Sequence, residues 1–313
     1  MRPYAFGVDV GGTTVKIGFF DTEANLLEKW EIPTRTENSG EYIVPDIAAS
    51  LHEYMDKKGL KEEDIEGVGI DVPGVVLKRG LVNRCANLGW GVKHVKEEIA
   101  ELMGGNMRIR IANDANAAAF AEMKKAGKGK NAVMVTLGTG VGGGVVVKGN
   151  IVTGAFGAGG EIGHMPVNPN ETEVCGCGKR GCLEQYASAT GVVRLAKKKM
   201  QAERVETAMR AFEPLTCRDV CNCAKEGDTA ALEVLEEVGE ITGRALASVA
   251  CVVDPEVFVI GGGVSKAGPI LTDVIQKYYK EYAFHASQDT AFVIASLGND
   301  AGIYGAVQLV IAG

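Results

Sequence analysis

The sequence predicts an α/β protein of two domains. Three observations carry that expectation. The chain has 313 residues, against about 150 for one ordinary domain. Strand and helix signals alternate along its whole length. A strand–glycine turn–strand unit also occurs twice, at Tyr4–Phe20 and again at Asn131–Val147, which reads as an internal duplication opening each half.

Taken in order, Tyr4–Val10 and Thr14–Phe20 are apolar runs joined across Gly11-Gly12, and a third strand is expected near Leu26–Ile32. Tyr42–Lys57 carries a helical apolar stripe. Gly67–Asp71 reads as a short buried strand ended by Pro73-Gly74, followed by a helix around Val95–Met103 and a strand at Arg108–Ile111. Asn113-Asp114 caps the next helix, Ala115–Ala126, which stops at Gly127. In the second half, Asn131–Leu137 leads through a turn at Gly138–Gly144 into Val145–Val147, which turns back at Gly149-Asn150. An irregular Cys-rich stretch runs from Gly160 to Cys182. Helices then dominate from Leu183 to about Val253, one of them opened by a capping box at Thr216 and Asp219. Glu256–Ile260 is a strand feeding Gly261-Gly262-Gly263, with a helix from near Pro269. A strand at Ala291–Ser296 and a small-residue helix, Asp300–Ile311, close the chain. No Pro-rich linker separates the halves, so the domains are expected to share an interface with a cleft between them.

Composition excludes several classes of function. Apolar residues make up 46% and charged residues 23%, as in ordinary soluble domains. The net charge of −7 argues against a nucleic-acid footprint and against an anionic membrane surface as partner. The N-terminal apolar run is short and carries Asp9, so it fails as a secretion signal. The uncharged stretch Asn131–Val147 is broken by glycine and too short to span a bilayer. A cytoplasmic location is expected, and in that setting the eight cysteines read as metal ligands or inert thiols.

Three glycine loops are suited to phosphate. Asp9-Val10-Gly11-Gly12-Thr13-Thr14-Val15-Lys16 lies between two strands. Its glycines let backbone N–H groups face phosphate oxygens, its threonines add donors, and Asp9 can reach a phosphate-bound Mg²⁺ directly or through water. It lacks the spacing and following helix of a Walker A loop, and on pattern alone it competes with a plain type I′ hairpin. The second loop, Gly138–Gly144, contains G-x-G-x-x-G. That fingerprint must open a helix, whereas β-branched Val145-Val146-Val147 follows here, so a dinucleotide fold is rejected. The third, Gly261-Gly262-Gly263-Val264-Ser265, lies between a strand and a helix and suits close approach to a nucleoside.

Asp114 is the candidate base. It follows a strand and opens a helix, so it caps that helix and also presents a carboxylate to a substrate hydroxyl. The helix N-terminus is expected to lower its pKa, which phosphoryl transfer tolerates because the proton leaves late. Asn113 offers a donor and an acceptor to neighbouring hydroxyls.

His164, Cys175, Cys177 and Cys182 form the most specific signal. One imidazole and three thiolates fit closed, tetrahedral Zn²⁺, and such a site is structural because no position stays open for water. Gly176, Gly178 and Gly181 supply the turns that let the ligands converge. Glu161 and Glu184 flank the site. Taken alone, either reads as a solvated carboxylate, while beside zinc either could meet a substrate hydroxyl, as could the second ring nitrogen of His164. Cys217, Cys221 and Cys223 lie in a helix without a fourth ligand and read as plain thiols. Cys85 and Cys251 are expected in the core, and His52, His94 and His285 on the surface without partners.

Together these motifs resemble the ROK family of sugar kinases. The resemblance rests on Asp9-x-Gly-Gly-Thr, Asn113-Asp114-Ala115-Asn116-Ala117, the Gly138–Gly144 loop, Gly160-Glu161-x-Gly163-His164 and the Cys175–Glu184 run. Asn87-Leu88-Gly89-Trp90, Ser188-Ala189-Thr190-Gly191 and Gly298-Asn299-Asp300-Ala301-Gly302 look like its glucokinase branch. The resemblance implies an actin-like, hexokinase-like (ribonuclease H-like) fold of two domains, residues 1–118 with about 299–313, and 119–298, the last helix returning to the first domain. It implies phosphorylation of glucose at the 6-hydroxyl by ATP with Mg²⁺, with structural Zn²⁺ on His164, Cys175, Cys177 and Cys182. Asp114 is then the base, and Gly74, Asn87, Asn113, Asp114, Glu161, His164 and Glu184 contact the sugar. Asp9, Gly11, Gly12, Thr13, Lys16, Gly138, Thr139, Gly140, Gly261 and Gly262 lie at the nucleotide or its Mg²⁺. A homodimer or homotetramer is expected. N-acetylmannosamine or N-acetylglucosamine kinase is the alternative within the class, and polyphosphate the alternative donor. A sugar-sensing repressor is disfavoured, because the phosphate loop at Asp9 leaves no N-terminal helix-turn-helix domain in this sequence.

Overall fold

In the computed structural model, which describes residues 2–127, 130–202 and 205–312, the elements follow the expected alternation. The first half runs β1 (Tyr4–Val10), β2 (Thr14–Asp21), β3 (Leu26–Pro33), a short turn α1 (Glu37–Gly40), α2 (Ile43–Lys58), β4 (Ile65–Val72), β5 (Val75–Leu77), β6 (Leu81–Cys85), β7 (Trp90–Lys93), α3 (Val95–Leu102), β8 (Ile109–Asn113) and α4 (Asp114–Ala126). The second runs β9 (Ala132–Leu137), β10 (Val141–Val147), β11 (Asn150–Ile151), α5 (Glu184–Ala187), α6 (Ala189–Ala202), α7 (Cys217–Lys225), α8 (Thr229–Val253), β12 (Val257–Gly261), α9 (Pro269–Tyr282), β13 (Ala291–Ile294) and α10 (Ala301–Ile311). By contacts the chain forms two units: Met1–Lys125 with Ile151–Gly159 and Asn299–Gly313, and Ala126–Asn150 with Gly160–Gly298.

The first unit is a sheet of order β3-β2-β1-β4-β8. β1, β2 and β3 pair antiparallel, and β1, β4 and β8 pair parallel. Both faces of the central strands are covered, which is why they read as unbroken apolar runs. On one face Phe6, Val8, Ile17 and Ile70 pack with Ile47 and Leu51 of α2 and Ile99 of α3. On the other, Ala5 and Phe20 pack with Ile303, Val307 and Val310 of α10. Glycine makes that second contact possible, since a Cβ on Gly69 would land on the Ala306 carbonyl. A three-stranded antiparallel sheet, β5-β6-β7, completes the unit and was not legible in the sequence.

The second unit has the sheet order β11-β10-β9-β12-β13. It repeats the first: an antiparallel hairpin, β9 with β10, followed by parallel β9, β12 and β13. The duplication inferred from two glycine hairpins therefore extends to the whole five-stranded order. Helices α8 and α9 pack closely because Gly239 and Gly243 admit Val274 and the Ile275 backbone. Thr216 and Asp219 form the expected capping box on α7, and Pro269 opens α9.

Three expectations are corrected. The second glycine turn is shorter than Gly138–Gly144, because β10 begins at Val141 and Gly142–Gly144 are strand residues paired with β9. Cys251 is exposed near the end of α8, whereas Cys85 is buried. His52 meets the Leu102 carbonyl at 3.0 Å and His94 lies 3.1 Å from Glu97, so both surface histidines have partners. The third glycine loop runs through a short 3₁₀ turn, Val264–Ala267, into α9, which opens at Pro269 as expected. Among the described residues no helix is long and apolar enough to cross a membrane.

Candidate active site and metal centre

In the first unit the candidate residues gather at the C-terminal ends of the parallel strands, where open α/β sheets bind ligands. Register places Asp9 of β1 beside Asp71 of β4, and Val72 beside Asn113 of β8. The phosphate loop closes with the Gly11 amide donating to the Thr14 carbonyl at 3.0 Å. Neither Gly11 nor Gly12 has a positive φ, so the turn is not type I′ and glycine serves space. A Cβ on Gly11 would stand 2.8 Å from the Thr14 oxygen, and one on Gly12 would stand 3.6 Å from the Asn87 carbonyl. The loop and Asn87 thus adjoin, leaving Gly12, Thr13 and Asn87 exposed. Lys16 donates to the Asn299 carbonyl at 2.9 Å and lies 3.8 Å from Asp9.

Asn113 caps α4. Its Oδ1 accepts from the Asn116 amide at 3.2 Å, and its Nδ2 donates to the Gly74 carbonyl at 3.0 Å. Gly74, at φ +115°, adopts backbone that only glycine enters freely, so Gly74, Asn113 and Asp114 are fixed as one group. Asp114 accepts from the Ala115 amide at 2.8 Å and keeps a face to solvent. Its pKa is raised, not lowered as expected from the helix N-terminus. Desolvation by surrounding protein is the largest cause and the charge of Asp9 adds to it, outweighing the backbone N–H groups. A raised pKa makes it the better base.

Asp71 was not singled out from the sequence, although an aspartate ending an apolar strand is a usable signal. It is fully buried. Burial, then the charges of Asp9 and Asp114, hold it well above the usual carboxylate range. Both of its oxygens are buried without a hydrogen-bond partner, and Asp9 stands beside it in register, which suits a neutral acid.

In the second unit two glycine loops lie side by side, because β9 and β12 pair as far as Gly261 with Thr136. Gly262, at φ +86°, presses on the Leu137 backbone. The Gly138 amide donates to the Gly140 carbonyl at 2.9 Å, and the Gly138 carbonyl accepts from Ala189 at 2.8 Å. Thr190 donates to the Thr139 carbonyl at 3.1 Å, leaving the Thr139 side exposed. β10 follows this loop as a strand, so the dinucleotide reading stays excluded.

The metal-type cluster is also in this unit. The ligand atoms of His164, Cys175, Cys177 and Cys182 all lie within 4.8 Å of one another. Cys177 and Cys182 sulfurs are 3.6 Å apart, and Cys175 Sγ is 4.0 Å from His164 Nδ1. A tetrahedral ion with Zn–S bonds of about 2.3 Å sets sulfurs about 3.8 Å apart, so the donor set fits. Burial, followed by the neighbouring thiols, pushes Cys182 up to about 12, and a dication is what lets three such thiols ionise together. His164 Nδ1 faces the thiols while its Nε2 lies 4.0 Å from exposed Glu161. Glu184 is half-buried and no free surface carboxylate. It accepts from the Val141 amide at 3.0 Å and lies 3.5 Å from Cys175 Sγ, so it ties the cluster to the second glycine loop. Gly140 leaves room for that carboxylate.

Two α/β units of one topology, each with a glycine hairpin at its strand ends, define the actin-like, hexokinase-like fold. The chain belongs to the ROK family, matching the family model over residues 5–312. It is 41% identical over 311 residues to a glucokinase of Halalkalibacterium halodurans, covering 97% of this chain and 94% of that one. Among solved structures it is similar to a ROK family glucokinase from Streptomyces griseus in complex with glucose and AMPPNP (TM-score 0.74, 32% identity, 99% and 100% covered). It is also similar to a ROK hexokinase from Thermus thermophilus (TM-score 0.81, 30% identity, 99% and 98% covered).

Proposed function

We propose that the protein transfers the γ-phosphoryl group of ATP to the 6-hydroxyl of glucose. The observation that carries this reading is Asp114, a carboxylate of raised pKa that reaches solvent at the start of α4 and is fixed beside Asn113 and Gly74. The likeness to glucokinases supports the choice of sugar and donor.

Asp114 orients the 6-hydroxyl and takes its proton as the bond to phosphorus forms, an effect of about 10²–10⁴-fold. Asn87 and Asn113 hold other sugar hydroxyls, joined by Glu161, His164 and Glu184 of the second unit. Gly11 and Gly138, whose amides close their own turns, shape the loops; the amides of Gly12 and Gly140, with Thr13, Thr139 and Lys16, receive the phosphates, and Gly261-Gly262 receives the nucleoside. Asp9 is the carboxylate that would hold Mg²⁺ arriving with ATP, an ion that would neutralise phosphate charge. His164, Cys175, Cys177 and Cys182 would hold Zn²⁺, which would fix the loop proposed to read the sugar.

Coupled measurement of ADP release with glucose, mannose and N-acetylated amino sugars tests the substrate. Asp114→Asn is expected to lower kcat by about 10²–10⁴-fold with little change in the KM for glucose. In the wild type, kcat/KM falls at low pH with a midpoint above 3.8, the ordinary aspartate value. An Asp114→Asn enzyme that turns over near the wild-type rate removes Asp114 from this role.

A further inference from the structure

Helix α7 carries three thiols that the reaction above does not use. Two of them, Cys217 and Cys221, line a cavity of about 740 Å³ in the second unit. Its wall also holds Arg218, Lys225, Lys266, Gly263 and Val264, together with Ala189, whose amide binds the Gly138 carbonyl. The cavity therefore borders the second and third glycine loops. Cys223 is buried and does not line it.

The two thiols are placed to react with one another. Cys217 is the first helical residue, directly after the N-cap Thr216, and Cys221 is one turn on. Four residues of helix separate their Cα atoms by about 6 Å, within the 4.4–6.8 Å that a disulfide spans, while their Cβ atoms, about 5–6 Å apart on a helix, must draw in to about 4 Å as the bridge closes. The neighbouring Cys217 thiol, with help from the charge of Lys225, favours ionisation of Cys221, while Cys221 and burial hold the Cys217 proton. A stabilised thiolate beside a resolving thiol is the arrangement that reacts with peroxides.

We propose that Cys217 and Cys221 form a reversible modification site for hydroperoxides in the wall of this cavity, and that bridging them excludes nucleotide. The second half rests on the assignment of the Gly138 and Gly261 loops to ATP. Cys221 thiolate attacks a peroxide oxygen, so an S–O bond forms and the O–O bond breaks. Sulfenic acid results, and the peroxide's other oxygen leaves as alcohol or water after taking a proton. Cys217 sulfur then attacks the sulfenic sulfur; the S–S bond forms, the S–O bond breaks and water leaves with the Cys217 proton. The two thiols lose two electrons and the hydroperoxide gains them. A dithiol reductant reverses the bridge. Closing it moves the first turn of α7, which carries Arg218 in the cavity wall.

The test uses the full zinc-loaded chain and hydrogen peroxide, with peptide mass mapping, calorimetric titration of AMPPNP and release of zinc followed in parallel. A Cys217–Cys221 bridge is expected, formed about tenfold more slowly with AMPPNP bound, and the oxidised protein is expected to bind AMPPNP at least about tenfold more weakly. Glucose affinity is expected to stay unchanged, and a dithiol to restore nucleotide binding. In Cys217→Ser, Cys221 is expected to stop at sulfenic acid, trapped by dimedone, and in Cys223→Ser the bridge forms as in the wild type. Oxidation confined to Cys175, Cys177 and Cys182 with loss of zinc, or a bridge to Cys223, overturns the site. A Cys217–Cys221 bridge that leaves AMPPNP affinity unchanged overturns its coupling to nucleotide. Reduced protein that binds no AMPPNP overturns the nucleotide assignment itself, and the peptide map then still decides the thiol site.

Discussion

Glu171 shows how a single residue holds the Gly160–Cys182 stretch in shape. Its carboxylate accepts from Tyr186 Oη at 2.6 Å, Arg194 at 2.8 Å, and the amides of Thr172 and Glu173 at 2.9 and 3.0 Å. Burial alone would raise its pKa, but these donors together lower it to about 2 from 4.5. A depressed carboxylate stabilises the fold above its unfolded pKa and stops doing so as pH falls through its folded one. Glu171→Ala is therefore expected to cost about 3 kcal/mol at neutral pH, by leaving Arg194 partly unpaired. The difference from wild type should shrink between pH 4.5 and about 2, as read by urea denaturation over that range; a gap independent of pH sinks the argument. This network was not legible beforehand, because Tyr186 and Arg194 are distant from Glu171 in sequence; Asp71 fell in a strand read as buried, but the charges of Asp9 and Asp114 near it did not show. His164, Cys175, Cys177 and Cys182 were legible because chemistry alone demands that combination at close spacing. The direction of the Asp114 shift was misjudged because the helix end is local and visible in sequence, whereas desolvation is not.

At the scale of elements, the stretch from Gly160 to Cys182 has little regular structure, so its shape depends on what pins it. Gly181 presses on the Asn168 backbone at φ +72°, Gln185 accepts from the Gly181 amide at 2.8 Å, and the thiol cluster supplies the remaining constraint. Stripping the metal with a chelator is expected to release about one equivalent of zinc. It should also raise the KM for glucose far more than the KM for ATP, since Glu161 and His164, proposed above to contact the sugar, belong to that stretch. Under half an equivalent in fresh protein argues against a closed zinc site. Gly140→Ala probes the other side of the same link. Its Cβ would meet the Glu184 carboxylate, so Glu184 must swing away from the Val141 amide, and kcat/KM for glucose is expected to fall about tenfold or more. An unchanged kcat/KM separates Glu184 from sugar binding. The strands and long helices of both units were readable from periodicity and caps. The β5-β6-β7 sheet was not, because its strands span only 3, 5 and 4 residues and are separated by turns that hide any alternation. Arg79 and Arg84, both at positive φ, carry no turn signature of the kind glycine provides.

At the scale of the molecule, the chain passes from one unit to the other more than once, and its last fifteen or so residues return to the first. Helix α10 is therefore part of the first unit's core and not a tail. Ile303, Val307 and Val310 are all but fully buried against Ala5 and Phe20. A Cβ on Gly7 or Gly69 would strike the α10 backbone, and one on Gly305 would strike Ala117 of α4, so the helix lies against the sheet and against α4 at distances no other residue permits. Burying three such side chains contributes about 2 kcal/mol each, comparable with the whole stability of a domain. The helix also completes the phosphate loop: Lys16 donates to Asn299, Lys29 pairs with Asp300 at 2.7 Å, and Gly302 leaves space for the Asp9 carboxylate. Deleting residues 299–313 is thus expected to unfold β1, β2 and β4 while β9, β10 and β12 keep their protection. Hydrogen exchange followed strand by strand reads that outcome. Gly69→Val should weaken the same strands in the full-length chain, because the clash pushes α10 off the sheet without removing it. Uniform exchange in both units after deletion would mean that the duplicated sheets fold as one, and protected β1 and β4 would mean that α10 covers the sheet without holding it.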